Sequence, residues 1–333
     1  MRNNQDRIIG YDLIKTFAIF MIVFYHLGGI DFGHIEAGAY YYPNFNKFLL
    51  SFCSSSVPLF LMVHGALILP RHLSFWESFY KAFQMLILFL FGKFVLQYLI
   101  TEKCFSIEDK MVHFWFLGTL GMVYLFSYFL NRIKWLRIVC LSFLLFYPFL
   151  FNLFIDIILF LEPNHNVHYG GHDGFFTLYA LVYFYLGFYF KDNNIQPLYS
   201  YLLIILGLLS INLEVFLFSN YYHIVYEGVN SEFPTIGALL LSLGIYCRFV
   251  GAKISYHKIQ NIISFIGSNT LGIYMFHVLI ILLIRKYTLC ESYNLFYSTL
   301  VSCSIVIFLA FFHNILKSMV RSFISFVIRE KKE

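Results

Sequence analysis

Long apolar segments constrain this chain more than any other feature. A helix needs about 20 apolar residues to cross the hydrocarbon core of a bilayer, and the chain offers a series of such segments separated by short loops. Charged residues make up only 12% of the 333 residues, against about 25% in soluble domains. We therefore predict an all-α, polytopic membrane protein, a bundle of about ten transmembrane helices. The predicted spans are 8–30, 48–70, 80–100, 112–130, 137–161, 174–190, 199–218, 234–252, 260–284 and 294–316.

The distribution of Lys and Arg predicts the orientation, because cytoplasmic loops of membrane proteins carry an excess of these residues. With the N-terminus inside, 17 of the 23 basic residues lie on the inner side, five lie on the outer side, and Lys93 lies within the third span. Both termini are therefore predicted to be cytoplasmic. The loops leave no room for an appended soluble domain, so residues 1–333 are predicted to form one membrane-embedded domain. Since the basic residues are spread over short loops, no nucleic-acid partner is indicated.

The first span carries an ammonium and an imidazole on one face. His26 follows Lys15 by eleven positions, and eleven helical steps return to within about 20° of the same face, roughly 16 Å farther along. Ionisable groups inside hydrocarbon are costly and usually functional, so this arrangement predicts an enzyme that works within the membrane. Each residue alone has another interpretation. A single His in a span often only bonds a neighbouring helix, and Lys15 can extend to the inner headgroups.

Other polar residues fall at two depths in the predicted bundle. The outer layer is predicted to hold the candidate catalytic residues His26, His113, Trp115, Tyr274 and His277. The inner ends hold Asp12, Lys15, Arg71 and Lys81, which would form a cationic inner mouth. For two of these residues a simpler interpretation stays open, since Arg71 can be a positive-inside anchor and Trp115 can belong to the interfacial aromatic belt.

Two further groups of residues carry weaker signals. Lys93 is expected to pair with a buried carboxylate such as Asp156 or Glu214. The three His residues of loop 162–173 match no strong metal motif, and the six Cys residues are scattered without a CxxC pair. No metal site and no disulfide framework are therefore predicted.

Four sequence blocks occur in order along the chain. They are Gly10–His26, with its basic residue eleven positions before the His, then Val57–Leu67, His113–Leu117 and Gly267–His277. In this order and spacing they resemble the blocks of the integral-membrane acyltransferase family 3, over nearly the whole chain. The resemblance is greatest to the short stand-alone members, which O-acetylate surface polysaccharides.

The chain departs from the usual family pattern at three positions. Lys15 stands where Arg is usual, so a forked guanidinium is replaced by a point charge. His64 stands where Ser is usual, and Gln84 replaces the second member of a basic pair that begins with Lys81. These departures bear on contacts to the acyl donor more than on the His residue of the first span.

The resemblance implies acyl transfer from cytosolic acetyl-CoA, used as a co-substrate, to a hydroxyl of a cell-surface glycan or its lipid-linked precursor. It implies a multi-pass protein of a bacterial plasma membrane. The donor's phosphates would lie among Lys15, Arg71 and Lys81, with Asp12 beside them. His26 would act as general base or as a transient acyl carrier. The groups that could donate to the developing oxyanion are Trp115, Tyr274 and His277.

Two other functions are alternatives to acyl transfer. In a transporter or flippase for a lipid-linked sugar, Lys93, Asp156 and Glu214 would form a coupling relay. The chain shows no repeat of the kind expected for transporters with inverted halves. A purely structural scaffold is disfavoured because the spans contain so many polar residues.

Overall fold

The structure, a computed structural model, is described for residues 9–29, 50–96, 114–150, 179–192, 195–221, 235–287 and 295–330. These ranges form ten α-helices and contain no strand, which confirms the all-α prediction. The helices are α1 (Ile9–Phe24), α2 (Ser56–Ile68), α3 (Phe75–Phe91), α4 (Trp115–Arg132), α5 (Lys134–Leu145), α6 (Tyr179–Tyr189), α7 (Pro197–Tyr221), α8 (Ile236–Val250), α9 (His257–Tyr287) and α10 (Leu295–Glu330).

The surface of the bundle is that of a membrane protein. Large apolar side chains point outwards, among them Trp76 and Phe296, each 74% exposed, a position that is favourable in lipid and unfavourable in water. In the described part of the chain, four helical segments are long and apolar enough to cross a membrane. They are Ile9–Leu27, Phe52–Arg71, His257–Ile284 and Phe296–Ser322. The total of ten spans and the cytoplasmic placement of both termini stay predictions.

The centre of the bundle is formed by α2 and α6, whose side chains are almost all buried. Two glycines let the backbones of these helices touch. A Cβ on Gly65 would overlap the backbone of Phe184, and a Cβ on Gly187 would overlap the backbone of Met62. Small residues at such crossings are the usual way for membrane helices to pack closely, since dispersion contacts replace the hydrophobic drive that operates in water. No larger residue fits at either crossing without moving a helix.

Several helix ends depart from α-helical geometry. The first helix continues as a π-helical segment, Tyr25–Gly29, which contains His26. A second π-helical segment, Gly92–Leu96, follows α3 and contains the buried Lys93. Such segments are rare and are frequently found at functional sites, and no sequence pattern predicts either of them.

The third helix begins with a capping box. The Ser74 side chain accepts a hydrogen bond from the Glu77 backbone N–H at 3.3 Å, and the Glu77 carboxylate accepts one from the Ser74 N–H at 2.8 Å. The bond from the Ser74 backbone lowers the pKa of the exposed Glu77 carboxyl, because it stabilises the charged form. This cap fixes where α3 begins, directly after the short turn that ends α2.

Candidate active site

Two imidazoles from separate helices lie side by side within the bundle. The ring centroids of His26 and His277 are 5.2 Å apart, with an angle of 49° between the ring planes. His277 is completely buried and His26 is half-buried. The structure thus brings together the two His residues that the sequence places at similar depth on the first and ninth spans.

The orientation of the His277 ring follows from its own helix. Its Nδ1 lies 2.8 Å from the carbonyl oxygen of Tyr274, and a carbonyl can only accept. The Nδ1 atom must therefore carry a proton, so a neutral His277 ring has its lone pair on Nε2. This tautomer makes Nε2 the atom that can accept a proton from a hydroxyl.

Tyr274 connects the imidazole pair to the beginning of α4. Its ring lies 5.9 Å from that of His277 and 5.6 Å from that of Phe116, measured between centroids. Its phenol is hydrogen-bonded to the backbone of Phe116. The predicted catalytic residue Trp115 is half-buried next to Phe116, whereas His113 lies outside the described residues. Sequence reasoning missed Phe116, although it lies inside the block 113–117.

The predicted inner residues of α1 are held by α9. The Lys15 ammonium lies 2.8 Å from the Asp12 carboxylate and donates to the carbonyl oxygen of Gly267 at 2.7 Å. Asp12 is only 2% exposed, and a buried carboxylate is stabilised by an ion pair of this kind. Both residues were predicted as parts of a donor site. Their contact with Gly267 was not predicted, although Gly267 begins one of the four blocks.

A second buried polar pair lies between α2 and α4. The Tyr124 hydroxyl and the His64 Nδ1 atom are hydrogen-bonded at 2.9 Å. His64 lies four residues before the end of α2, and Lys15 lies six residues after the start of α1, which is about 6 Å and 9 Å along their helices. Tyr124 was missed because no pattern in the sequence pairs it with His64.

The end of α2 borders a polar cavity. Arg71 is exposed at the end of the 3₁₀ turn Leu69–Arg71, which follows α2, and Lys81 is half-buried in the second turn of α3. Next to them, a cavity of about 270 Å³ opens between the end of α2, the beginning of α3 and the end of α4. Its polar lining includes His72, Ser78, Ser127, Tyr128, Asn131 and Arg132.

Two features stabilise this cavity. His72 adopts a left-handed backbone conformation with φ of 46°, which is uncommon for a residue other than glycine and reverses the chain between α2 and α3. On the opposite wall, Tyr185 of α6 donates a hydrogen bond to Asn131 at 2.9 Å. The Arg132 guanidinium lies 5.0 Å from the centre of the Tyr128 ring, so a cationic and an aromatic surface meet at the mouth.

The residues of the alternative relay lie only partly within the described part of the chain, so their predicted pairing stays a prediction. Lys93 is buried, but Asp156 lies outside the described residues, and the side chain of Glu214 does too. The His residues of loop 162–173 also lie outside them. Among the residues described, no three His, Cys, Asp or Glu side chains form a group that could hold a metal ion.

The fold and the site together define an all-α membrane protein with polar and ionisable groups placed inside its bundle, as in enzymes that act within a bilayer. A family model described as an acyltransferase domain matches residues 8–314. The chain therefore belongs to acyltransferase family 3 and is a membrane acyltransferase. No curated protein and no solved structure shows significant similarity to it.

Proposed function

We propose that this acyltransferase moves an acetyl group from cytosolic acetyl-CoA to a hydroxyl of a cell-surface glycan or its lipid-linked precursor, in the plasma membrane of a bacterium. The observation that carries the proposal is that two imidazoles, those of His26 and His277, lie side by side inside the helical bundle of this chain, which belongs to a family of acyltransferases. Transfer to a hydroxyl needs a base whose pKa lies near neutral pH, and imidazole is the side chain suited to that task.

The reaction requires one proton transfer and one exchange of bonds. His26 takes the proton of the acceptor hydroxyl while that oxygen attacks the thioester carbonyl. As the tetrahedral intermediate collapses, the carbon–sulfur bond breaks, and the proton on His26 passes to the leaving thiolate. Alternatively, His26 carries the acyl group transiently before the hydroxyl attacks. In the second case a carbon–nitrogen bond to His26 forms as the carbon–sulfur bond breaks, and the leaving thiolate takes up the proton that the imidazole loses. The acceptor hydroxyl then attacks the acyl carbon, its proton returns to the imidazole, and the carbon–nitrogen bond breaks.

The residues around His26 are suited to bind the acceptor and the developing oxyanion. His277 offers the Nε2 lone pair to a hydroxyl of the acceptor, and the Tyr274 phenol can donate to the oxyanion. Trp115 contributes an indole N–H at the same level. His113 is the next candidate for a base, since it opens the sequence block 113–117 that also contains Trp115.

The donor's nucleotide end is proposed to bind at the opposite end of α1. Arg71 and Lys81 supply positive charge there, and Arg132 and Tyr128 of the neighbouring cavity offer a guanidinium and a ring. These groups suit phosphates and an adenine base. Lys15 lies deeper, and its ammonium is shared between Asp12 and Gly267, so the first contacts with phosphate fall to Arg71 and Lys81.

Mass spectrometry of surface glycans tests this function. We would compare cells that carry the wild-type protein, cells that lack it, and cells that carry His26→Ala. The expected result is an acetyl-sized mass difference that depends on the wild-type protein and disappears in both other strains. As a matched control, His313→Ala removes another intramembrane imidazole that packs against Gly272 of α9, and it should retain acetylation. Identical glycan masses in all strains, with all proteins expressed, would exclude a glycan acceptor.

A further inference from the structure

Helices α1 and α9 are joined by two hydrogen bonds before they reach the imidazole pair. Lys15 bridges the Asp12 carboxylate and the Gly267 carbonyl. One residue later, the Thr16 hydroxyl donates to the Ile263 carbonyl at 3.2 Å. Each contact from α1 reaches the backbone of α9 rather than a side chain, so it fixes the position of that helix directly.

Gly267 permits this close approach. A Cβ at this position would lie 2.8 Å from both the Cβ and the Oδ1 atom of Asp12, and 3.0 Å from its Cα. Carbon atoms in contact normally lie about 3.5–4.0 Å apart, so any side chain here would force the two helices apart. Asp12, Lys15 and Gly267 are called the register clamp from here on.

The register clamp and the imidazole pair are two contacts of one parallel helix pair. From Lys15 to His26 is eleven residues, and from Gly267 to His277 is ten residues. At about 1.5 Å per residue these steps correspond to about 16 Å and 15 Å, so the rings meet at matched heights. A slip of one residue at the clamp would move one ring by about 1.5 Å relative to the other.

We propose that the register clamp is a positioning device, and that Lys15 acts on the acyl transfer by setting the spacing of His26 and His277 rather than by contacting the donor. The inference rests on the proposed function and gives Lys15 a role in the geometry of the imidazole pair. The Lys15 ammonium pairs with the buried Asp12 carboxylate. Its second bond, to the Gly267 carbonyl, links the ammonium to the backbone of the helix that carries His277.

A small set of variants separates the effect of the Asp12 and Lys15 charges from the effect of the spacing between α1 and α9. Asp12→Asn/Lys15→Met removes both charges together, so no carboxylate is left buried without a cation. Gly267→Ala retains both charges and wedges the helices apart. Lys15→Arg keeps a cation that can reach the carboxylate and the carbonyl.

The matched control is another lysine bound to the next carbonyl of α9. Lys317 of α10 donates to the Ser268 carbonyl oxygen at 2.9 Å and to Asn269 Oδ1 at 3.1 Å. Lys317→Met therefore removes the same type of bond to the adjacent carbonyl, from a helix that carries neither ring of the pair.

The first measurement is the rate of acetyl transfer in membrane vesicles, taken as a function of acetyl-CoA concentration and corrected for the amount of folded protein. Since a displacement of 1 Å can cost about 100-fold in rate, the double variant and Gly267→Ala should lose about 10- to 100-fold in kcat, with the donor KM within about threefold of wild type. Lys15→Arg and Lys317→Met should keep both parameters. If the donor KM rises instead while kcat stays at the wild-type value, Lys15 contacts the donor and the proposal is wrong.

The second measurement does not depend on activity. Cysteines replace His26 and His277 in a background in which the six native cysteines are changed to serine, and a short bifunctional thiol reagent joins them. The clamp variants should cross-link more slowly than the same pair with an intact clamp, and Lys317→Met should not. Equal cross-linking rates would overturn the proposal. If the wild type transfers no acetyl group, the proposed function fails, but this measurement still decides the role of the clamp.

Discussion

Replacing His26 and His277 singly and together tests whether the two rings act on one bound acceptor. Catalytic hydrogen bonds require about 2.6–3.2 Å between heavy atoms, and two rings whose centroids lie 5.2 Å apart are close enough to contact neighbouring hydroxyl groups of one acceptor. Loss of a general base typically costs about 10²–10⁴ in rate, which is about 3–5.5 kcal/mol of barrier. Groups that act as a unit are strongly non-additive.

We therefore expect His26→Ala to abolish detectable transfer or reduce it by about 10²–10⁴, and His277→Ala to reduce it by a similar or smaller factor. The rate of the double variant should lie within about threefold of the rate of His26→Ala. If the rings contributed independently, the losses would multiply, to about 10⁴–10⁸ for two full effects.

The assay follows labelled acetyl groups from acetyl-CoA into lipid- and polymer-bound material, in inside-out membrane vesicles that expose the cytoplasmic side. Rates are divided by the amount of protein that stays folded in detergent. His313→Ala serves as the control for loss of an imidazole next to α9. Multiplicative losses in the double variant would refute a shared acceptor, and near-normal transfer by His26→Ala would show that His26 is not catalytic.

Three further predictions follow from other parts of the structure. A reporter that works only in the cytoplasm should give a signal when fused after Glu333 and none when fused after Asp173; the reverse result would invert the predicted orientation. Gly65→Ala should lower the thermal stability and the yield in detergent, because its methyl group overlaps the backbone of Phe184, whereas Gly118→Ala should not, because its Cβ would meet only the Phe89 ring at 3.8–4.0 Å. Arg71→Ala and Arg132→Ala should each raise the donor KM by about tenfold with less effect on kcat, since a charge-assisted hydrogen bond contributes about 1.5–3 kcal/mol; an unchanged KM in both variants would exclude the cavity as part of the donor site.

The helical architecture could be predicted from the sequence because bilayer thickness sets the length of each apolar segment. The position of a residue within its apolar segment gives its depth, and the order of the segments gives their direction. For this reason His26 and His277 could be placed on spans of equal direction and similar depth. The structure adds what these patterns cannot supply, namely which helices are neighbours. The 5.2 Å separation of the two rings depends on α1 packing against α9, and no residue spacing within either segment specifies that partner.

The polar contacts that were missed all depend on tertiary structure. The pair formed by His64 and Tyr124 joins residues sixty positions apart. The bond from Lys15 to Gly267 spans 252 positions and ends on a carbonyl, a group that every residue carries and that therefore leaves no mark in the sequence. The π-helical segment around His26 was also beyond prediction, because it reflects a local choice between two hydrogen-bonding patterns that the same residues allow.

The depth of the imidazole pair explains why an enzyme of this design would need a helix register fixed so firmly. His26 lies 17 residues beyond the start of α1, about 25 Å along a helix, in a hydrocarbon core about 30 Å thick. With the predicted orientation, a donor that enters from the cytosol must therefore extend its thioester across most of the membrane to meet an acceptor from the other side. At that depth the geometry of the reacting groups depends on how α1 packs against α9. The register clamp joins these two helices before they reach the rings, and one ion pair and one glycine hold both helices at the spacing that the rings require.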